Sequence, residues 1–366
     1  MSAISTFAQV TAGRWRLCIP DPRFAGAGAR PPTTRARILV STAIALLSAT
    51  VFFVERLREP ASHSDFGQAW FGARAMLGGG NPYALIGPRL QFDWLWPLFY
   101  PGTTLVVSIP LVILPELYAA TVFVGVSAGL LAFAVTKDGW YRLPLFLSSA
   151  FVIAVRAAQW SPLMTAALCV PALAWVVAAK PNIGIVLLAF SRSLRGVLIA
   201  LLGGALLTAL SLILLPGWPA DWIANVRGAH QFTILLTRWG GVLVLLALFR
   251  WRRPEARLIV ALACIPQTAY WYEALPLLLI PATYRESLTL SLLSAFGFLL
   301  ERYLVGNQPN VAFRDVGTLM IWFLYLPATF MVLRRPNTGE APEWISSISD
   351  RLRTAAGPVP RGGPMV

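Results

Sequence analysis

Apolar residues in this chain gather into long charge-free runs, the clearest being Ile38–Val54, Leu117–Thr136, Gly196–Leu215 and Gly317–Leu333. Each is long enough to cross the roughly 30 Å hydrocarbon layer as a helix. Lipid forces that choice, because every backbone N–H and C=O must find a partner inside the protein there. Further apolar stretches lie near 98–115, 143–156, 162–178, 182–190, 231–249, 258–272, 274–283 and 287–301. The pattern predicts an all-α fold, a polytopic transmembrane helical bundle of about eight to ten membrane-crossing or re-entrant segments. Two places interrupt it within apolar surroundings, Arg156–Trp160 and Lys180-Pro181. Polar residues and proline at that depth predict broken or re-entrant helices.

The loop after the first run, 55–96, is the longest stretch outside the tails without a membrane-length apolar run, and so the natural place for a site. Within it Asp65–Leu77 reads as an amphipathic helix, stopped by Gly78 and turned by Asn81-Pro82. Phe66, Trp70 and Phe71 would lay it in the headgroup layer as an interfacial helix. Asp65 at its start has two readings, a helix N-cap and a functional carboxylate.

Composition removes the soluble alternative. Of 366 residues 57% are hydrophobic and only 13% charged, too little charge to wet a soluble surface. A net charge of +14 would suit nucleic acid, but the arginines sit in short clusters beside the apolar runs instead of forming one stripe. Arg14, Arg16, Arg23, Arg30, Arg35 and Arg37 precede the first run, and Arg192/Arg195, Arg250/Arg252/Arg253/Arg257 and Arg334/Arg335 flank later ones. By the positive-inside rule these ends face the cytoplasm, and the partners are membrane lipids, not nucleic acid. Residues 1–37 then form a disordered basic cytoplasmic tail before an uncleaved signal anchor, 38–335 the membrane domain, and 336–366 a mobile cytoplasmic tail with one weak amphipathic segment, Glu343–Leu352. Arginine bias with abundant Ala, Gly and Pro points to the inner membrane of a GC-rich bacterium.

Cys18, Cys169 and Cys264 are too scattered for a disulfide framework or a metal cluster, and His63 and His230 form no pair with zinc-ligand spacing. No glycine-rich phosphate loop follows a strand, and Gly78-Gly79-Gly80 reads as a turn. No cofactor is expected. Of the 30 Lys and Arg only Lys137 and Lys180 are lysine, so Lys180 within an apolar stretch stands out either as a site-specific ammonium or as a snorkelling side chain.

The order of Asp65-Phe66, an aromatic, Ala73-Arg74-Ala75, Leu77, Gly78-Gly79, Pro82 and Tyr83 resembles the first outer loop of glycosyltransferase family 87. That family belongs to the multi-spanning C-type glycosyltransferases, which include polyprenyl-phosphate-mannose-dependent mannosyltransferases. Phe99-Tyr100-Pro101-Gly102 and Ile109–Pro115 are similar to its Tyr-Pro-Pro and Pro-Leu-x-x-Leu-Pro run, with Gly102 in place of the second proline. Ala158-Gln159-Trp160-Ser161 resembles a divergent Gly-Gln-x-Asn element, and Lys180-Pro181-Asn182 a Lys-Pro-x motif. Trp271-Tyr272-Glu273 stands where the family often has Ser-Trp-x-His, with Glu273 at or near the histidine's place. The segment between Ser161 and Lys180 is shorter than in the family. The resemblance covers residues 38–335.

It implies a C-type fold and inverting transfer of a hexose, mannose foremost, from a polyprenyl-phosphate sugar to a lipid or glycan hydroxyl on the outer face. A single carboxylate serves there as general base, and Asp65 coincides with the motif, whereas Asp93 sits among aromatics as an anchor. The leaving lipid phosphate calls for a cation, with Lys180, Arg156 and Arg74 as candidates in that order and Arg227 a weaker one. Gln159, Tyr100, Glu273, Tyr83 and His230 are the further acceptor- or donor-site candidates. Two other readings stay open: a catalytically inactive scaffold of envelope-glycan assembly, and a lipid or sugar transporter using Arg156, Lys180 and Glu273 as a pathway.

Overall fold

Thr33 caps the first helix, accepting from the Ala36 amide at 3.3 Å, and the charge-free run that follows carries it unbroken as α1 (Thr34–Arg58). The helix thus begins before Ile38 and takes in Arg35 and Arg37. The computed structural model describes residues 32–59, 63–190, 194–229, 232–306 and 316–338. Within them the chain is mostly helical, with two short strand pairs. Among the described residues four helices are long and apolar enough to cross a membrane, by length and composition: α1, α4 (Glu116–Val135), α8 (Leu194–Leu214) and α12 (Val316–Leu333). α1 and α8 are largely exposed along their apolar windows, as a lipid-facing helix requires, whereas more than half of the α4 and α12 windows is buried.

α4 lies antiparallel on α1 because two glycines a helical turn apart let the backbones approach. A Cβ at Gly129 would stand 3.0 Å from the Ala45 Cβ, and one at Gly125 3.3 Å from the Ala45 carbonyl oxygen. Arg37, its guanidinium 4.0 Å from the centre of the Phe133 ring, donates to the Phe133 carbonyl and pins the opposite end.

Several stretches expected as single spans are instead built from short pieces broken at proline. The 98–115 stretch is α3 (Gly102–Ser108) followed by a 3₁₀ turn at Pro110. The 143–156 stretch is a 3₁₀ segment at Pro144 followed by α5 (Ser149–Arg156). The 162–178 stretch becomes α6 (Ser161–Cys169) and a 3₁₀ segment over Pro171–Ala179. Proline lacks the N–H that continues an α-helical ladder, which is why the breaks fall there. After α7 (Pro181–Phe190), α8 and α9 (Trp218–Arg227), 3₁₀ segments also cover Gly241–Arg250 and Trp271–Leu279, on either side of α10 (Pro254–Cys264). Two of the three long 3₁₀ segments adjoin the site below.

The loop helix α2 (Asp65–Leu77) has the expected bounds, but its orientation differs. Phe66 and Trp70 are buried, Phe66 stacking on Phe123 at 4.3 Å between centroids, so these aromatics pack inward against α4 instead of into headgroups. Ser64, not Asp65, is the N-cap, its hydroxyl accepting from the Gly67 amide at 3.0 Å. That releases the Asp65 carboxylate from the capping role.

Candidate active site

Asp65 reaches its place through two elements distant in sequence. Its backbone N–H donates to the Ala157 carbonyl at 3.0 Å, which fixes the start of α2 on the turn after α5. Its carboxylate accepts from Gln68 Nε2 at 3.1 Å through one oxygen and from Gln159 Nε2 through the other. The Ala157–Trp160 turn that aims Gln159 is sharp, with Ala158 at φ 49°, in the left-handed region that favours glycine. Replacing Ala158 by Gly is therefore expected to stabilise the protein by up to about 1 kcal/mol, read as a higher denaturation midpoint with the site unchanged.

Lys180 follows the 3₁₀ segment Pro171–Ala179, whose last carbonyls are held by two hydroxyls of α3. Thr103 donates to the Ala178 carbonyl at 2.5 Å and Thr104 to that of Ala179. The ammonium lies 2.6 Å from Glu273 Oε1 and 5.4 Å from the centre of the Tyr272 ring. Thr268 donates to the same carboxylate oxygen at 3.3 Å. Glu273 itself lies in the first turn of the 3₁₀ segment Trp271–Leu279 and is buried.

Asp65, Gln68, Gln159, Lys180, Asn182, Tyr272 and Glu273 share one cavity of about 360 Å³, a size that holds a small organic ligand. Its remaining wall is mainly apolar and carries six aromatic rings, Trp94, Trp96, Phe99, Tyr100, Trp222 and Phe232. α9 closes this wall like a strap, Trp222 Nε1 donating to the Phe99 carbonyl at 2.8 Å and Asn225 Nδ2 to the Leu98 carbonyl at 3.1 Å. The strap explains why glycine stands at position 102: a Cβ there would sit 2.8 Å from the Trp218 ring. A Gly102→Ala protein is expected to lose about 1–3 kcal/mol, or to displace α9, seen as a lower thermal midpoint and altered tryptophan fluorescence.

Compared with protein-family models, curated proteins and solved structures, the chain matches none.

Two acceptors in the cavity residues have no hydrogen-bond partner among the described residues, Gln159 Oε1 and Glu273 Oε2, both buried. The amide of Gln159 cannot be reversed to relieve this, because its oxygen would then face the Asp65 carboxylate. Buried orphan acceptors are costly, so they are suited to a ligand rich in hydroxyl donors. Burial is the largest influence on Asp65 and pushes its carboxyl up to about 6; Lys180 and the Gln159 hydrogen bond oppose the rise, and Glu273 adds to it. The carboxylate keeps a window on the cavity, but the atoms packed around it remove most of its water.

The other expected residues fall elsewhere. Tyr83 is behind the wall, its hydroxyl donating to the Tyr100 carbonyl at 3.0 Å. Arg74 is exposed, its guanidinium 5.5 Å from the Trp70 ring centre, because α2 turns that face away from the cavity. Arg156 points to the other side of the Ala157 turn and pairs with Glu55 at 2.7 Å. Neither arginine lines the Asp65 cavity. Arg227 is exposed on α9, and Asp93 accepts from the Arg89 amide at 2.8 Å, closing a loop turn. His230 lies outside the described residues. Thr268 and the aromatic strap of α9 were not singled out in the sequence; the alternation of tryptophans in 94–96 was the available signal for part of that wall.

Proposed function

We propose that the chain is a polytopic C-type membrane glycosyltransferase, similar to glycosyltransferase family 87, that transfers a hexose from a polyprenyl-phosphate sugar to a lipid or glycan hydroxyl at the outer face of a bacterial inner membrane. The observation that carries this reading is one cavity holding a carboxylate of raised pKa, an ammonium and two buried acceptors without partners among the described residues, walled in part by aromatic rings. Each part has a task in that chemistry. Asp65 takes the proton of the acceptor hydroxyl as its oxygen bonds to the anomeric carbon. The bond from that carbon to the phosphate oxygen breaks on the opposite face, and the electron pair leaves with the polyprenyl phosphate. Lys180 neutralises the charge that develops there. Glu273 holds the ammonium in position before donor binds, in the place of the family's histidine. The orphan acceptors and ring faces suit sugar hydroxyls and the apolar face of a hexose.

The test is transfer of radiolabelled hexose from polyprenyl-phosphate donors by purified protein, with product analysed for inversion. Lys180→Gln is expected to lower kcat at least tenfold and to weaken donor use more than acceptor use. Absence of transfer with every polyprenyl-phosphate hexose would sink the reading and leave the scaffold or the transporter.

A further inference from the structure

On the far side of the Ala157–Gln159 turn lies a second pocket, of about 420 Å³, lined by Glu55, Arg56, Glu59, Arg156 and Arg302 with Tyr270, Ile153 and Phe298. It forms where the C-terminal ends of α1, of α5 and of α11 (Tyr284–Val305) converge. Three guanidiniums face two carboxylates, so the pocket carries an excess of positive charge in a chain whose helices leave apolar faces outward. Arg56 donates to the Arg156 carbonyl at 2.9 Å, and Arg156 Nε lies 2.7 Å from Glu55 Oε1. The Arg156 side chain is 54% exposed, so its guanidinium is accessible to a ligand. On α11 exposed Leu299 stands beside Phe298 and one turn before Arg302, and on α1 exposed Val51 stands one turn before Glu55.

The geometry points to a binding site for an alkyl phosphate: the phosphate oxygens on Arg156 and Arg302, and the chain along the apolar faces of α1 and α11. Guanidinium is the group suited to this, because its planar fork meets two phosphate oxygens at once. The pocket has no lining residue in common with the Asp65 cavity and adjoins it at the Ala157–Gln159 turn and at Tyr270–Tyr272. Occupation is therefore separate from the proposed transfer and does not require it.

Dodecyl phosphate titrated by calorimetry into the full chain in micelles tests the assignment, and the Lys180→Gln protein is the host, since that change removes the ammonium of the first cavity. Saturable binding by this host, weakened at least tenfold by Arg302→Gln and likewise by Arg156→Gln, is the expected result, with the thermal midpoint of the ligand-free variants unchanged. Binding abolished by Lys180→Gln alone would assign the phosphate to the first cavity and overturn the proposal. Affinity for inorganic phosphate equal to that for dodecyl phosphate would overturn the lipid assignment, as would binding indifferent to both arginine changes.

Discussion

Replacing Asp65 by asparagine is expected to lower hexose transfer by about 10²–10⁴-fold while the protein remains folded and becomes more stable at neutral pH. The loss follows from the proposed role: an amide cannot take up the acceptor's proton, and general-base catalysis contributes about that factor. The gain follows from burial. The folded protein holds the Asp65 proton more tightly than the unfolded chain, because the carboxyl titrates at about 6 instead of at its ordinary value of 3.8. As pH rises through that window the unfolded state loses its proton first, so ionised Asp65 lowers stability above about pH 6. Each pKa unit is worth about 1.4 kcal/mol, so the Asp65→Asn protein should recover on the order of 1–3 kcal/mol at about pH 7.5 and nothing below about pH 4. With Asp65 as the proposed base, wild-type transfer is expected to rise with pH through about 6, since a base works only when deprotonated. A pH–rate profile of the wild type and denaturation of both proteins at two pH values check these statements together. Transfer retained by Asp65→Asn would remove the residue from the base's role whatever the stability change.

A comparable effect on folding is expected at the opposite end of the bundle. Glu255 is buried between Arg253 and Arg335, 3.4 Å from each, and Arg335 also reaches Glu286 at 2.6 Å. Arg335 donates further to the Ile280 carbonyl at 3.0 Å, and Arg253 to that of Pro336 at 3.1 Å. The cluster ties the start of α10, the start of α11 and the end of α12 into one corner. Glu255→Ala removes the carboxylate that stands between two buried guanidiniums and leaves Arg335 with Glu286, and breaking a buried pair on one side costs about 3–5 kcal/mol. The expected result is loss of monodisperse protein on size-exclusion chromatography after extraction. Exchanging the charges for apolar groups, as in Glu255→Leu with Arg335→Met, should recover part of the loss, because desolvation of both ions disappears with them. Equal behaviour of Glu255→Ala and wild type would show that water or other groups compensate the arginines.

The charge-free runs determined by themselves that the chain is helical and carries membrane-length segments, because hydrocarbon admits no alternative partner for the backbone. Local chemistry also specified α2, where Gly78 ends a helix at the expected residue, and the breaks at Arg156–Trp160 and Lys180. The tertiary structure decided which polar residues meet. Asp65, Gln159, Lys180 and Glu273 lie far apart in the sequence, and no periodicity relates one helix's rotation to another's. Arg156 and Arg74 stood behind Lys180 as candidate cations, and a helix face and the sign of one turn's φ send them away from the cavity. The aromatics of α2 were legible as apolar but not as inward or outward, because lipid and protein interior reward the same residues. That choice was made by the glycine-mediated approach of α4 to α1, and by Phe123 and Trp160, which give Phe66 a closer surface than lipid offers.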